Sequence, residues 1–193
     1  IRIANRDRVA TELHPKVFAG LGNAKLLRKK NMSQALDMDW WQHIRLSDQV
    51  RLLSVPTQHF SSRGLFDRDR TLWLGFVIEG SRHKVFFAGD TGYGPHFAEI
   101  GRRLGPMDLS LLPIGAYKPR WFMSPVHISP EEAVVAHKDL RSRRSMAIHF
   151  GTFPLADDGE QEPVEDLSQA LAKAGLGKDD FWVLNFGEGR PVP

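Results

Sequence analysis

Lys84-Val85-Phe86-Phe87-Ala88-Gly89-Asp90-Thr91-Gly92-Tyr93 is the stretch on which the fold turns. Val85 to Ala88 is an apolar run without polar alternation, which suits a central strand covered on both faces. The run stops at Gly89-Asp90-Thr91-Gly92, so a carboxylate is delivered just beyond the strand's carboxyl end. Immediately upstream, Leu72 to Glu79 reads as a partner strand, with Gly80-Ser81 supplying the hairpin turn. Downstream the pattern becomes helix (about Pro95 to Leu104), strand (Leu109 to Ile114), helix (Pro130 to Leu140), strand (Ser145 to Phe150), helix (Pro163 to Ala174) and strand (Phe181 to Phe186). Hairpins followed by β/α alternation predict an α/β fold with a mixed sheet covered by helices.

Two of the helices have specific local chemistry. Ser129-Pro130-Glu131-Glu132 offers a Ser cap, Pro in the first helical position and Glu three residues after the cap, which together satisfy free N–H groups and suit the helix dipole. Val164, Leu167, Leu171 and Ala174 recur at three- and four-residue steps and give the last helix one apolar face. Toward the N-terminus, Lys16 to Gly20 reads as a short strand and Asn23 to Lys30 as a helix after a Gly-bracketed turn. Trp40 to Leu46 and Gln49 to Val55 read as neighbouring strands around Ser47-Asp48. Ile1 to Ala10 resembles the interior of a helix and begins without methionine, so an upstream segment is expected.

Composition narrows the function classes. With 193 residues, 41% of them hydrophobic and 25% charged, the chain is sized for one packed domain. A net charge of +3 gives no polybasic surface, and Arg141 to Arg144 reads as a solvated helix end, so no nucleic-acid partner is expected. The absence of cysteine excludes thiolate metal sites, disulfides and cysteine nucleophiles. No apolar run approaches the roughly 18 residues of a membrane span, so the chain reads as soluble and cytoplasmic. A Ser nucleophile elbow, a His-Glu-x-x-His pair and a Gly-Lys-Ser/Thr phosphate loop are all missing, and Gly20-Leu21-Gly22-Asn23-Ala24-Lys25 reads as a strand-to-helix turn.

What remains is a set of polar residues at the ends of apolar strands: His59 after Val55-Pro56, Asp90 after Ala88-Gly89, and His149 after Met146-Ala147-Ile148. Ligands of α/β sheets collect outside the carboxyl ends of strands, where separate segments deliver side chains to one crevice. Singly, each residue is better explained as a turn or hydrogen-bonding residue than as a ligand, and Asp90-Thr91-Gly92 would serve as an Asx turn. Jointly, two imidazoles and a carboxylate form a donor set favoured by zinc, iron or manganese.

Thr57-Gln58-His59-Phe60, Gly64-Leu65-Phe66-Asp67, Phe86-Phe87-Ala88-Gly89-Asp90-Thr91-Gly92-Tyr93, Pro113-Ile114-Gly115-Ala116-Tyr117, Pro119-Arg120-Trp121-Phe122-Met123 and Ser145-Met146-Ala147-Ile148-His149-Phe150-Gly151-Thr152-Phe153 closely resemble successive blocks of the N-acylphosphatidylethanolamine-hydrolysing phospholipase D family. The resemblance covers most of the chain from Val17 onward. It implies a metallo-β-lactamase αββα sandwich, with residues 1–193 forming the C-terminal part of a single domain, and a site of two zinc-class ions bridged by a carboxylate. Asp90 matches the bridging ligand, His59 a ligand of one ion and His149 a ligand of the other.

The family's His-x-His-x-Asp-His motif, which supplies the other ligands, is absent from this sequence and belongs upstream of the Ile1 to Ala10 helix. The chain alone is therefore expected to be inactive and its longer parent a metal-dependent phosphodiesterase acting on a phospholipid headgroup or small molecule. A lactonase, esterase or nuclease of the same fold is the alternative within the class, and a metal-free binding or scaffold remnant is the alternative outside it. His127, beside the Ser129 cap, matches a substrate-facing His of the family; a loop His bonding local backbone is the bland reading. Tyr117, Arg120 and Trp121 are candidate substrate contacts, with an ordinary buried loop anchored by Trp121 and Phe122 as the competing view. Lys118 stands where relatives often carry Glu. His14, His43, His83, His96 and His137 match no ligand position. Peripheral membrane contact and homo-oligomer formation through exposed sheet edge are both compatible with this reading.

Overall fold

The computed structural model describes residues 15–193, so the expected N-terminal helix and His14 lie outside the described residues. The described residues form two sheets. β1 (Val17–Gly20) and β2 (Ala35–Met38) form a parallel pair joined through helix α1 (Asn23–Arg28). The larger sheet takes its seven strands in chain order: β3 (His43–Ser47), β4 (Val50–Val55), β5 (Gly75–Glu79), β6 (Lys84–Phe87), β7 (Leu109–Pro113), β8 (Arg144–Ile148) and β9 (Phe181–Trp182). β3 to β6 are antiparallel neighbours; β6 to β9 are parallel neighbours. The change from hairpins to crossovers falls at β6, the strand that carries the opening stretch of sequence.

Parallel pairing demands crossovers, and the chain supplies them. α2 (His96–Leu104) links β6 to β7, the single turn α3 (Arg120–Met123) and α4 (Pro130–Asp139) link β7 to β8, and α5 (Glu162–Ala174) links β8 to β9. Their apolar faces close the main core, in which Phe86, Phe97, Ile100, Leu112, Ile114, Ile128, Leu140, Leu167 and Phe181 are all essentially inaccessible. Phe86 meets Phe97 edge to face at 6.3 Å. α4 begins with the expected capping box: the Glu132 N–H donates to Ser129 Oγ at 3.2 Å, and the Ser129 N–H donates to Glu132 Oε2 at 2.8 Å. In α5, Leu167 and Leu171 are buried, while Val164 and Ala174 pack against the same core at its margin.

Three differences from the sequence reading have local causes. β2 went unread because it has four residues and an internal Asp37, whose Oδ1 accepts the Ala24 N–H at 2.7 Å. α3 forms where a loop was expected because Pro119 O accepts the N–H groups of Phe122 and Met123 at 3.1 and 3.0 Å. β9 is shorter than the apolar run that suggested it, since only Phe181 and Trp182 lie in register with β8. No described helix is long and apolar enough to cross a membrane.

Candidate metal centre

β4, β6 and β8 point their carboxyl ends in a common direction, and each is followed within a few residues by a candidate donor: His59, Asp90 and His149. Backbone and side-chain hydrogen bonds stitch the loops together. The Gln58 N–H donates to Thr91 Oγ1 at 2.9 Å, Gly92 N–H returns a bond to Gln58 O at 2.7 Å, and Gln58 Nε2 donates to Pro125 O at 2.9 Å. The Ile128 N–H donates to Thr91 O at 2.8 Å. Two glycines permit this closeness: a Cβ on Gly92 would stand 2.6 Å from Pro125 O, and one on Gly115 would stand 2.2 Å from His149 O.

The side chains meet as a chain of contacts. His149 Nε2 lies 3.5 Å from Asp90 Oδ1, the His127 ring stacks on His149 at 5.3 Å, and the His59 ring meets His127 edge-on at 5.4 Å. His149 adopts φ +61°, in the left-handed region that costs a non-glycine residue roughly 1 kcal/mol or more, as is common where a strand end must re-aim a functional side chain. His59 Nδ1 donates to Phe60 O at 2.9 Å, since a carbonyl can only accept, and this leaves the Nε2 lone pair free for a ligand. Nδ1 of His127 and Nδ1 of His149 are buried without a hydrogen-bond partner. Burial, reinforced by the neighbouring His149, pushes the His127 imidazole down to about 4, and the nearby Asp90 only partly opposes this.

The donor types fit a divalent ion such as zinc or manganese. Their number does not complete a shell: among the described residues no three such side chains surround one point closely enough to hold an ion. Asp90 and His149 form the nearest pair, and His59 joins the group through its contact with His127.

Of the expected substrate contacts, His127 lies inside this group, but Tyr117 and Arg120 do not serve as drawn from the sequence. Tyr117 is 3% exposed and its hydroxyl donates to Asp166 Oδ2 at 2.5 Å, so burial and that carboxylate push its pKa up and occupy its polar atom. Arg120 directs its guanidinium to His127 O, Tyr117 O and Glu132 Oε2. Trp121 is 83% exposed and Phe122 63%, which overturns the buried-loop view of this segment. Lys118 pairs with Glu162. His43 and His83 are exposed, His137 is buried against Ser145 Oγ at 2.8 Å, and His96 lies 3.3 Å from Thr91 Oγ1.

Residues that sequence reasoning passed over include Gln58 and Thr91, which bind the loops together, and Asp158, whose Oδ2 accepts the Ala116 N–H at 3.0 Å. Ala116, His149, Phe150, Phe153, Leu155 and Asp158 help line a cleft of about 250 Å³ beside the His149 imidazole. In sequence these polar residues look like ordinary loop residues, and no local pattern marks them.

A family model described as a β-lactamase superfamily domain matches residues 4–150. The chain belongs to that superfamily and has the metallo-β-lactamase fold, a mixed sheet covered by helices. Within it, the chain is 35% identical over 191 residues to N-acyl-phosphatidylethanolamine-hydrolyzing phospholipase D 1 of Caenorhabditis elegans, covering 92% of this chain and 54% of that one. It is 32% identical over 173 residues to the mitochondrial N-acyl-phosphatidylethanolamine-hydrolyzing phospholipase D of Saccharomyces cerevisiae, covering 86% of this chain and 37% of that one. A metallo hydrolase from the archaeon Ignicoccus hospitalis superposes with a TM-score of 0.73 at 23% identity, over 95% of this chain and 71% of that one. The chain thus spans about half or less of the length of the two phospholipases, and the resemblance read from its sequence blocks is borne out.

Proposed function

We propose that this chain contributes part of the active centre of a metal-dependent hydrolase that cleaves phosphodiesters of phospholipid headgroups. The observation that carries the reading is the meeting of His59, Asp90, His127 and His149 outside the carboxyl ends of β4, β6 and β8; the names of the two phospholipase relatives support the substrate class. His59 with Asp90, and Asp90 with His149, would each hold one divalent ion of the zinc class. Ions bound there supply Lewis acidity, polarising the scissile bond and acidifying water.

The protein's own groups do the rest. Asp90 would be the carboxylate that holds such ions and offsets their charge. Phe60 O fixes His59 with Nδ1 protonated, so Nε2 faces outward as a donor atom. His127 stands beside these donors with Nδ1 buried and unpaired, and its Nε2 would bond a phosphoryl oxygen or pass a proton to the departing alcohol. The cleft beside His149, with Phe150, Phe153 and Leu155, presents apolar side chains to a substrate, and the exposed Trp121 and Phe122 offer apolar surface to an acyl chain or a lipid layer.

Metal content and hydrolysis of bis(p-nitrophenyl) phosphate and of an N-acylated phospholipid test the proposal in the protein that carries this chain. Asp90→Asn is expected to remove bound metal and hydrolysis together. His127→Ala should lower turnover roughly 10²- to 10⁴-fold with metal content kept. Unchanged metal and turnover in Asp90→Asn would sink the reading. The described residues offer each ion two protein donors, so the chain by itself is expected to bind metal weakly and turn over poorly. That same incomplete shell favours one second reading, a metal-free binding domain, and elemental analysis of the wild-type protein separates the two.

A further inference from the structure

We infer that Arg120 is a positioning residue for His127, acting through the backbone and not through the substrate. The inference rests on the catalytic role proposed for His127. Its guanidinium bridges three segments: Nη1 donates to His127 O at 2.9 Å and to Tyr117 O at 3.3 Å, and Nη2 donates to Glu132 Oε2 at 2.8 Å. The same Glu132 oxygen accepts the Ser129 N–H at 2.8 Å, so the arginine is locked to the first turn of α4 through its capping box.

The peptide between His127 and Ile128 is thereby held from both ends. Its carbonyl accepts from Arg120, and its N–H donates to Thr91 O at 2.8 Å, in the loop that carries Asp90. The preceding peptide is held as well, because the His127 N–H donates to Met123 O at 2.8 Å, in the turn that Arg120 begins. Both backbone torsions of His127 are therefore set by bonds outside its ring. The ring's own placement follows from packing between His59 and His149, with Nδ1 buried and bound to nothing in the protein. A ring nitrogen without a protein partner does not orient itself, so its direction depends on the backbone beneath it. The guanidinium presents its donors to acceptors on three segments in a fixed planar fork, which the compact, rotatable ammonium of lysine reproduces less well. Pairing with Glu132 also neutralises the guanidinium and strengthens the clamp.

A displacement of about 1 Å in a catalytic group can cost on the order of 100-fold in rate. Arg120→Met, which keeps the aliphatic stem, should lower kcat roughly 10- to 100-fold while KM stays within about twofold; Arg120→Lys should recover part of the loss. In a His127→Ala background, Arg120→Met should have little further effect, because the two residues act as one unit.

Ring resonances of the histidines, read from long-range proton–nitrogen spectra of the chain, give a measurement independent of turnover. Arg120→Met should shift His127, His59 and His149 and leave His137, bonded to Ser145, in place. Ring signals unmoved by Arg120→Met, a KM rise with kcat kept, or rate losses that simply add to those of His127→Ala would each overturn the inference. If Arg120→Met fails to fold, Arg120→Lys carries the same readouts. Wild-type protein that hydrolyses no phosphodiester would refute the proposed function, and the ring signals would still decide whether Arg120 sets His127.

Discussion

β1 and β2 are four residues each, no shorter than β6, yet the sheets they belong to are held in different ways. β6 lies between β5 and β7 and buries Phe86 completely within the main core. Among the described residues β1 and β2 pair only with each other, and the cluster beneath them holds Ala24, Met32 and Ala35 with Val17 and Leu27 at its margin. Two strands alone are marginal in water, so the small unit depends on docking. The Leu72 N–H donates to Leu21 O at 2.9 Å, Asn23 Nδ2 donates to Leu72 O at 3.0 Å, and Arg63 Nη2 donates to Asn23 Oδ1 at 2.7 Å. These contacts all come from the loop that follows His59. Strand length therefore does not decide local stability; a paired strand on each side and a side chain buried in the main core do. The larger sheet can fix donor residues at its strand ends, and the smaller one is bonded to the loop that follows His59.

Phe86→Ala attacks the larger sheet at its centre. It should cost about 3–5 kcal/mol, read as a fall in the urea midpoint of the whole domain, and a loss below 1 kcal/mol would mean that the core is not shared as described. Gly20→Ala attacks the docking of the smaller sheet, because its Cβ would stand 2.2 Å from Leu72 O. The expected cost is about 1–3 kcal/mol, seen as faster amide exchange across residues 17–38 with β6 to β8 still protected. Equal acceleration in both sheets would show that they unfold as one unit and would erase the contrast.

Ser129→Ala removes the α4 cap and should cost about 1 kcal/mol, lowering Tm without changing exchange in β1 and β2. The smallest effect is a pH slope. Burial lowers His96 from 6.5 to about 4, so the unfolded chain takes up this proton first. Its stabilising contribution is complete above about 6.5 and is lost as pH falls from there through about 4; partial exposure keeps it to about 1 kcal/mol or less. His137, also lowered by burial, adds with the same sign. His96→Gln should flatten part of the acid slope of the larger unit in urea titrations, and an unchanged slope would assign it to other groups.

Residues whose behaviour is set by near neighbours were readable in the sequence. The apolar run at Val85 to Ala88 became a central strand, Ser129 and Glu132 formed their capping box, and the last helix buried Leu167 and Leu171. These features follow from periodicity and from contacts within a few residues. The sequence also put His59, Asp90 and His149 at strand ends, which is where an α/β sheet gathers them.

Only the tertiary structure decided what each polar group does. Tyr117 is bound to Asp166 across 49 positions, and Gln58 reaches Pro125 across 67. Arg120 turns toward backbone carbonyls and Glu132, and Trp121 stays exposed although its size suggested burial. A hydrogen-bonding side chain takes whichever partner folding brings within about 3 Å. That partner depends on distant segments, so the sequence alone determined where the strands run and which donors end them, while packing decided which of those donors meet.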